Sequence, residues 1–423
     1  MSLHPKTAKA LDWNLVLEAL SNEARSPQGQ TEARRAPLAE SLHEAQNLYG
    51  AVQELEEIES LGERMPIGGL VDTREEICDA QKGRILEIED LYNCGRSIEA
   101  LHDLCRWLLK IKAPLLNKEI DCIHDSCALH ETFKDSFVDP HTLNPKRYPT
   151  LAKLKSKIQS AQASIQRQMD ALLAAPHIQD VLQDQFVTQR NGRSVLPIRA
   201  SAKRTGIGIV HDSSASGETV FIEPKEVVEL HNQQRLAEAD LLREEQAIRQ
   251  RLSQDIGAQA NAISAGLEAG WRLDLTAARL GLGLRIGGQI PRMKEEGCIE
   301  LIDAKHPLLT LAESRVIAND LGVNSTSPGL VLSGPNAGGK TVALKSLALA
   351  ALFAKAGIPF PCRSSSRVDF FHSIHADIGD SQTLADGLST FSAHMLTLKH
   401  CLDTASEGSL VLLDELAVGT DPA

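Results

Sequence analysis

Apolar positions recur along this chain at two different periods, and the changes of period divide it. Leu151, Leu154, Ile158, Ala161, Ile165, Met169 and Leu172 step by threes and fours, which draws one narrow stripe on a helix. A stripe that narrow calls for a partner helix. A second helical pattern runs from Glu226 to about Leu267, with Leu241, Ile248, Leu252 and Ile256 on one face. Between the two lie short β-like runs at Phe186–Thr188, Ser194–Ile198, Ile207–Val210 and Thr219–Ile222, separated by Gly, Asn and Ser. The spacing predicts an antiparallel helical pair carrying a small β module at its far end. Residues 1–145 read as several helices, interrupted most clearly at Pro66-Ile-Gly-Gly69 and Ala113-Pro114. After about residue 290 strands and helices alternate. Cys298–Ile302 and Leu330–Ser333 read as strands, Thr341 to about Lys355 as a helix and Leu410–Leu413 as a buried strand, the pattern of an α/β nucleotide-binding sheet. The predicted fold class is therefore mixed, with a mostly helical core followed by an α/β domain.

Composition sharpens this picture. Aromatic residues make up only 4% of the chain, and Ala, Leu, Glu, Gln and Arg dominate many stretches, which favours long helices over a β-rich body. The net charge of -12 offers no global attraction to nucleic acid, so any such contact needs a local basic patch. The eight cysteines show no framework spacing, as expected of reduced thiols in a cytoplasmic protein. The N-terminal residues lack the apolar core of a signal peptide. The most apolar stretch, Leu347–Ala354, is too short to span a bilayer, so no membrane association is expected.

The clearest chemistry lies at Gly334-Pro335-Asn336-Ala337-Gly338-Gly339-Lys340-Thr341. Placed between a strand and a helix, such a loop lets several backbone N–H groups point at phosphate oxygens, and the helix adds its positive end. Lys340 would reach the β- and γ-phosphates of ATP, and Thr341 would hold Mg²⁺ through its hydroxyl. Some seventy residues later, Leu410-Val-Leu-Leu-Asp-Glu415 ends an apolar strand in two carboxylates. Asp414 is the candidate Mg²⁺-side ligand, and Glu415 the candidate base that orients and deprotonates the attacking water. The paired acids resemble those of ABC-type ATPases, in which two heads share two nucleotides. That resemblance implies a partner-subunit signature, which Leu388-Ser-Thr-Phe-Ser-Ala-His394 fits, with Ser389 donating to the partner's nucleotide.

GPNAGGKTVALK, ADIGDSQTLADGLSTFSAHM, LVLLDELAVGTDP and SASGETVFIEP together resemble the MutS type 2 family, bacterial paralogues of the mismatch-repair MutS proteins. Ser381, Asp386-Gly387 and Ala417-Val418 depart from its usual residues without removing a group of direct catalytic role. The resemblance implies a helical core over 1–150, lever helices over 151–270 with a clamp module at about 186–222, and an ABC-type ATPase domain over 290–423. It implies a homodimer in which Ser389 and Asp421 complete the partner's site. It also implies action on branched or recombination-intermediate DNA to suppress recombination, or, in an alternative role, on stalled or collided ribosomes. Beyond Ala423 it implies a further strand, dimerising helices and an Smr nuclease module. The 423 residues alone are therefore expected to hydrolyse ATP poorly and to show no nuclease activity.

The candidate DNA contacts are Arg190, Arg193, Arg199, Lys203 and Arg204, in a stretch with no acidic residue between Asp184 and Asp212. Such a patch would bind phosphates without reading sequence. Phe221-Ile-Glu223 matches the mismatch-reading wedge by spelling, but it reads better as a strand. Cys122, His124, Cys127 and His130 do not have zinc spacing and read as ordinary residues of a helical segment. His306-Pro307 resembles the family's entry into the ATPase domain and is expected to pack near the adenine.

Overall fold

A computed structural model describes residues 3–202, 206–312, 315–324, 326–334, 339–378, 395, 398–399 and 401–414. Its contacts divide the chain into two compact units, one of 1–77, 94–130 and 259–423, the other of 78–93 and 131–258.

The first unit opens on short helices, α1 (Pro5–Ala10), α2 (Trp13–Ser21) and α3 (Pro27–Ala33), followed by the longer α4 (Leu42–Ser60). Ser26 and Ser41 start α3 and α4 by accepting the backbone N–H of Gly29 and Glu44, a capping bond worth about 1 kcal/mol each. The chain then forms α5 (Arg74–Gln81), α6 (Ile88–Leu108), α7 (Ile120–Ser126) and α8 (His130–Phe133). After a small hairpin of β1 (Phe137–Asp139) and β2 (Thr142–Leu143) come α9 (Pro149–Ala174) and α10 (Pro176–Gln179).

The second unit is built on α9 and on α11 (Lys225–Ala258), which pack along one another. Leu151, Ala161, Ile165, Met169 and Leu172 are the buried positions of α9, the stripe the periodicity predicts. Between the helices lie β3 (Thr188–Arg190), β4 (Arg193–Arg199), β5 (Gly208–Ser213) and β6 (Thr219–Pro224), an antiparallel sheet in the order β3-β4-β6-β5. Asn191-Gly192, both at positive φ, close the β3–β4 hairpin in two residues. One face of this sheet, with Leu196, Ile198, Val220 and Ile222, packs on Ile165, Met169 and Leu172 of α9 and Val227 of α11.

The rest of the chain belongs to the first unit: α12 (Ala260–Arg285), β7 (Ile299–Ala304), α13 (Pro307–Ala312), β8 (Asn319–Val323), α14 (Lys340–Ala356), β9 (Arg367–Val368), β10 (Ser373–Asp377) and β11 (Ser409–Leu413). Strands β8, β7 and β9 form one antiparallel sheet, and β10 and β11 a parallel pair in unbroken register. Every residue of α14 from Ser346 to Ala356 is buried. This helix shares one core with Leu11, Val16 and Leu20 of the opening segment and with Leu275, Ala278 and Leu282 of α12. Trp13 meets Phe353 edge-on at 6.1 Å. The opening helices and α14 thus bury a common hydrophobic surface, although the sequence pattern reads them as separate regions.

Two expected strands differ. Leu330–Ser333 pairs with no strand among the described residues, and Val331 is 91% exposed. Strand β11 forms as expected but has only β10 beside it among the described residues. Leu412 is buried while Val411 is 41% exposed, so among the described residues only one face of the strand is covered.

Candidate functional site: the start of α14 and the end of β11

Helix α14 begins at Gly339, whose φ of 80° and ψ of 12° are left-handed and cost glycine little. Gly334, at φ 153°, turns the chain on the other side of the loop. No side chain caps α14 and no acidic residue sits in its first turn. Its first-turn N–H groups and positive end therefore suit an anion. The opposite end is closed: Arg279, buried, donates from Nε to the carbonyl of Ala356 at 2.7 Å. Burial pulls the Arg279 pKa down to about 10. Lys355, also buried, donates to the carbonyl of Phe371 at 2.9 Å and lies 4.0 Å from the Phe370 ring centre. These cations oppose the negative end of the helix and anchor it in the core.

Thr341, at the start of α14, and the acidic strand end come together. The ladder of β10 and β11 continues one step further, with the Asp414 N–H donating to the carbonyl of Asp377 at 2.9 Å. That places Asp414 at the carboxyl end of a parallel strand pair. The Thr341 hydroxyl donates to Asp414 Oδ2 at 2.8 Å, joining residues 73 apart in sequence. Lys340 Nζ reaches back to the carbonyl of Gly334 at 2.9 Å. The hydroxyl and carboxylate are hard oxygen donors of the kind Mg²⁺ takes. Pro335, Asn336, Ala337, Gly338, Ser389, Glu415 and Asp421 lie outside the described residues.

Beside this corner Lys345 Nζ donates to Asp12 Oδ2 at 2.6 Å. His306 is buried, and its Nδ1 has no hydrogen-bond partner. Burial, and then the nearby Lys345 charge, pull the His306 pKa down to about 4, so the ring is neutral.

The candidate DNA contacts do not form one free patch. Arg193 Nη1 donates to Glu223 Oε1 at 2.6 Å, and its Nη2 to Asn232 at 2.8 Å. Arg190 pairs with Asp212 at 3.2 Å and stacks 4.3 Å from the Phe221 ring centre. Arg199 is exposed at the end of β4, while Lys203 and Arg204 lie outside the described residues.

Sequence reasoning passed over the group that engages Arg193. Glu223, fully buried on β6, also takes His211 Nε2 at 2.6 Å and His231 Nδ1 at 2.7 Å. His231 Nε2 in turn accepts the Ser194 N–H at 3.2 Å. Burial raises the Glu223 pKa, but the three donors outweigh it and hold the carboxyl below its usual range. Burial lowers the His231 pKa. The available signal was a lone glutamate in an otherwise apolar strand, TVFIEP. In the first unit, Cys127 packs beside Cys105, and burial pushes its thiol up to about 12. His130 stacks face to face on His102 at 3.7 Å.

Residues 330–423 match the family described as MutS domain V, which places the chain among MutS-type proteins. Along 99% of its length it is similar to proteins named Endonuclease MutS2: 34% identical to that of Pelotomaculum thermopropionicum, 33% to that of an Anaeromyxobacter species and 32% to that of Symbiobacterium thermophilum. The chain belongs to the MutS type 2 family. It spans about half the length of these relatives, covering 53%, 53% and 52% of them.

Proposed function

We propose that this chain binds Mg-ATP at the start of α14 and belongs to a DNA-binding clamp ATPase of the MutS type. The observation that carries the reading is the Thr341–Asp414 hydrogen bond at the foot of an uncapped helix. A lone glycine-rich turn has no reason to meet an acidic strand end 73 residues away, whereas a nucleotide site needs both. The α14 N–H groups and Lys340 would hold the phosphates, and Thr341 and Asp414 would hold Mg²⁺. Bound there, the metal would neutralise charge on the β- and γ-phosphates. Glu415 would orient the water, and Ser389 and Asp421 of one subunit would serve the other in a homodimer. The DNA substrate we propose is branched or recombination-intermediate DNA, gripped without sequence reading, with suppression of recombination as the outcome.

The test has two stages. A fluorescent ATP analogue should bind in the presence of Mg²⁺, and Lys340→Ala should weaken it at least tenfold, since the ammonium is the loop's only side-chain cation. Unchanged affinity would remove the site. ATP turnover by the dimeric protein should then rise with branched DNA. Stimulation by collided ribosomes in place of DNA would overturn the DNA assignment while leaving the nucleotide site intact.

A further inference from the structure

Helix α9 carries a run of charge that the nucleotide site does not explain. Between Asp139 and Asp170 there is no acidic residue, while six Lys and Arg residues fall in the same stretch, in a chain whose net charge is -12. Four of the six lie within α9. Lys153, Lys157, Ser160, Ser164 and Arg167 are spaced i, i+4, i+7, i+11 and i+14, which places them on one helix face. At 1.5 Å per residue this stripe is about 21 Å long. It lies off the buried positions Leu151, Ala161, Ile165 and Met169. Lys153, Lys157 and Arg167 are exposed, and none of them pairs with a carboxylate among the described residues. Arg167 is held along the helix by bonds to the Ala163 carbonyl and the Ser164 hydroxyl.

The contrast with α11 is instructive. That helix carries acids and bases together, and its Arg243 and Arg249 pair with Asp240 and Glu87. An exposed helix gains little from a single-sign face, because like charges repel and unpaired cations add nothing to packing. A face of Lys, Arg, Ser and Gln is made of hydrogen-bond donors suited to phosphate oxygens. We propose that this face of α9 is a docking surface for the phosphate backbone of double-stranded DNA. It reads no sequence. Arg190 and Arg193 of the β module are engaged by carboxylates, whereas Lys153, Lys157 and Arg167 of α9 have no carboxylate partner among the described residues. The inference rests on the DNA-binding reading above and assigns that contact to different residues.

The experiment compares two triple variants and one double variant of the 423-residue chain on a fluorescein-labelled, fully paired DNA duplex, with affinity followed against salt. For Lys153→Gln, Lys157→Gln, Arg167→Gln the slope of log affinity against log salt should fall by about 2 to 3. The charge-matched control Lys110→Gln, Lys112→Gln, Lys118→Gln, at exposed positions of the first unit, should keep the wild-type slope. Lys153→Arg, Lys157→Arg, which keeps the charge, should keep it too, and circular dichroism checks that α9 is intact. An unchanged slope in the α9 variant, with wild type binding DNA, overturns this inference alone. Equal losses in the α9 variant and the control also overturn it. Absence of salt-dependent duplex binding by the wild type, or binding of duplex RNA only, overturns this inference, and the DNA-binding reading falls with it only if branched DNA also fails to bind.

Discussion

The ring around Glu223 and the corner at Thr341 are both built from charged and polar residues far apart in sequence, yet they have opposite characters. Glu223 is fully buried and takes donors from Arg193, His211 and His231. Little of its capacity is left for a ligand. Asp414 is half-buried and takes one side-chain donor, the Thr341 hydroxyl, at the mouth of a helix whose N–H groups have no cap. A buried carboxylate with its lone pairs filled orders the chain around it; one left partly filled at an open helix start can take up a ligand. The same residue types thus build structure in one place and a site in the other, and the number of unfilled partners separates them.

Mutations should expose that contrast, with costs to stability that fall from the Glu223 ring to the Thr341 corner. Glu223→Gln leaves the half-buried Arg193 and the buried His231 beside a neutral group and should destabilise the second unit by about 2 to 4 kcal/mol in urea unfolding. Nucleotide affinity should not change. A loss under about 1 kcal/mol would show that the ring is not structural.

Acid should act next. His306 has a folded pKa of about 4 against an ordinary 6.5, so the unfolded chain binds its proton more readily. The stability this provides is complete above about pH 6.5 and is lost as pH falls toward 4, by roughly 3 kcal/mol. His306→Asn should flatten that part of the profile, and a slope equal to wild type would refute the assignment. His231, also lowered, acts in the same direction below 6.5. Glu223, held below its usual range, adds a further loss once pH drops under about 4.5.

Asp414→Asn keeps an acceptor for Thr341 and should change stability by less than about 1 kcal/mol. It should nevertheless abolish the Mg²⁺ dependence of nucleotide binding in a titration. Smallest of all, Lys340→Ala should move the unfolding midpoint by less than about 0.5 kcal/mol, as for an exposed position, while removing nucleotide affinity. If instead it unfolds the protein, Lys340 is a structural residue.

Much of the local architecture can be read without coordinates. The stripe from Leu151 to Leu172 lies on α9, and the four β-like runs fall within a few residues of β3 to β6. The helix after the nucleotide loop is α14. These features depend on periodicity and turn residues, which act over a few positions. The strand at Leu330–Ser333 does not follow, because an apolar run becomes a strand only when a neighbour pairs with it. The ion pairs of the β module could not be read from the sequence for a related reason. Arg193 and Glu223 stand 30 positions apart and meet only through the pairing of β4 with β6.

By itself, the sequence determined the amphipathic helices and the β-like runs between them, since each follows from a pattern that repeats over a few residues. Only the tertiary structure decided which charges are free. It joined Thr341 to Asp414 and Lys345 to Asp12, and it placed α14 in one core with the opening helices. It also tied Arg193 to Glu223 while leaving Lys153 and Lys157 without a carboxylate partner among the described residues. Hydrophobic burial and helix formation follow local pattern, but whether a charge is matched depends on what the whole fold brings beside it.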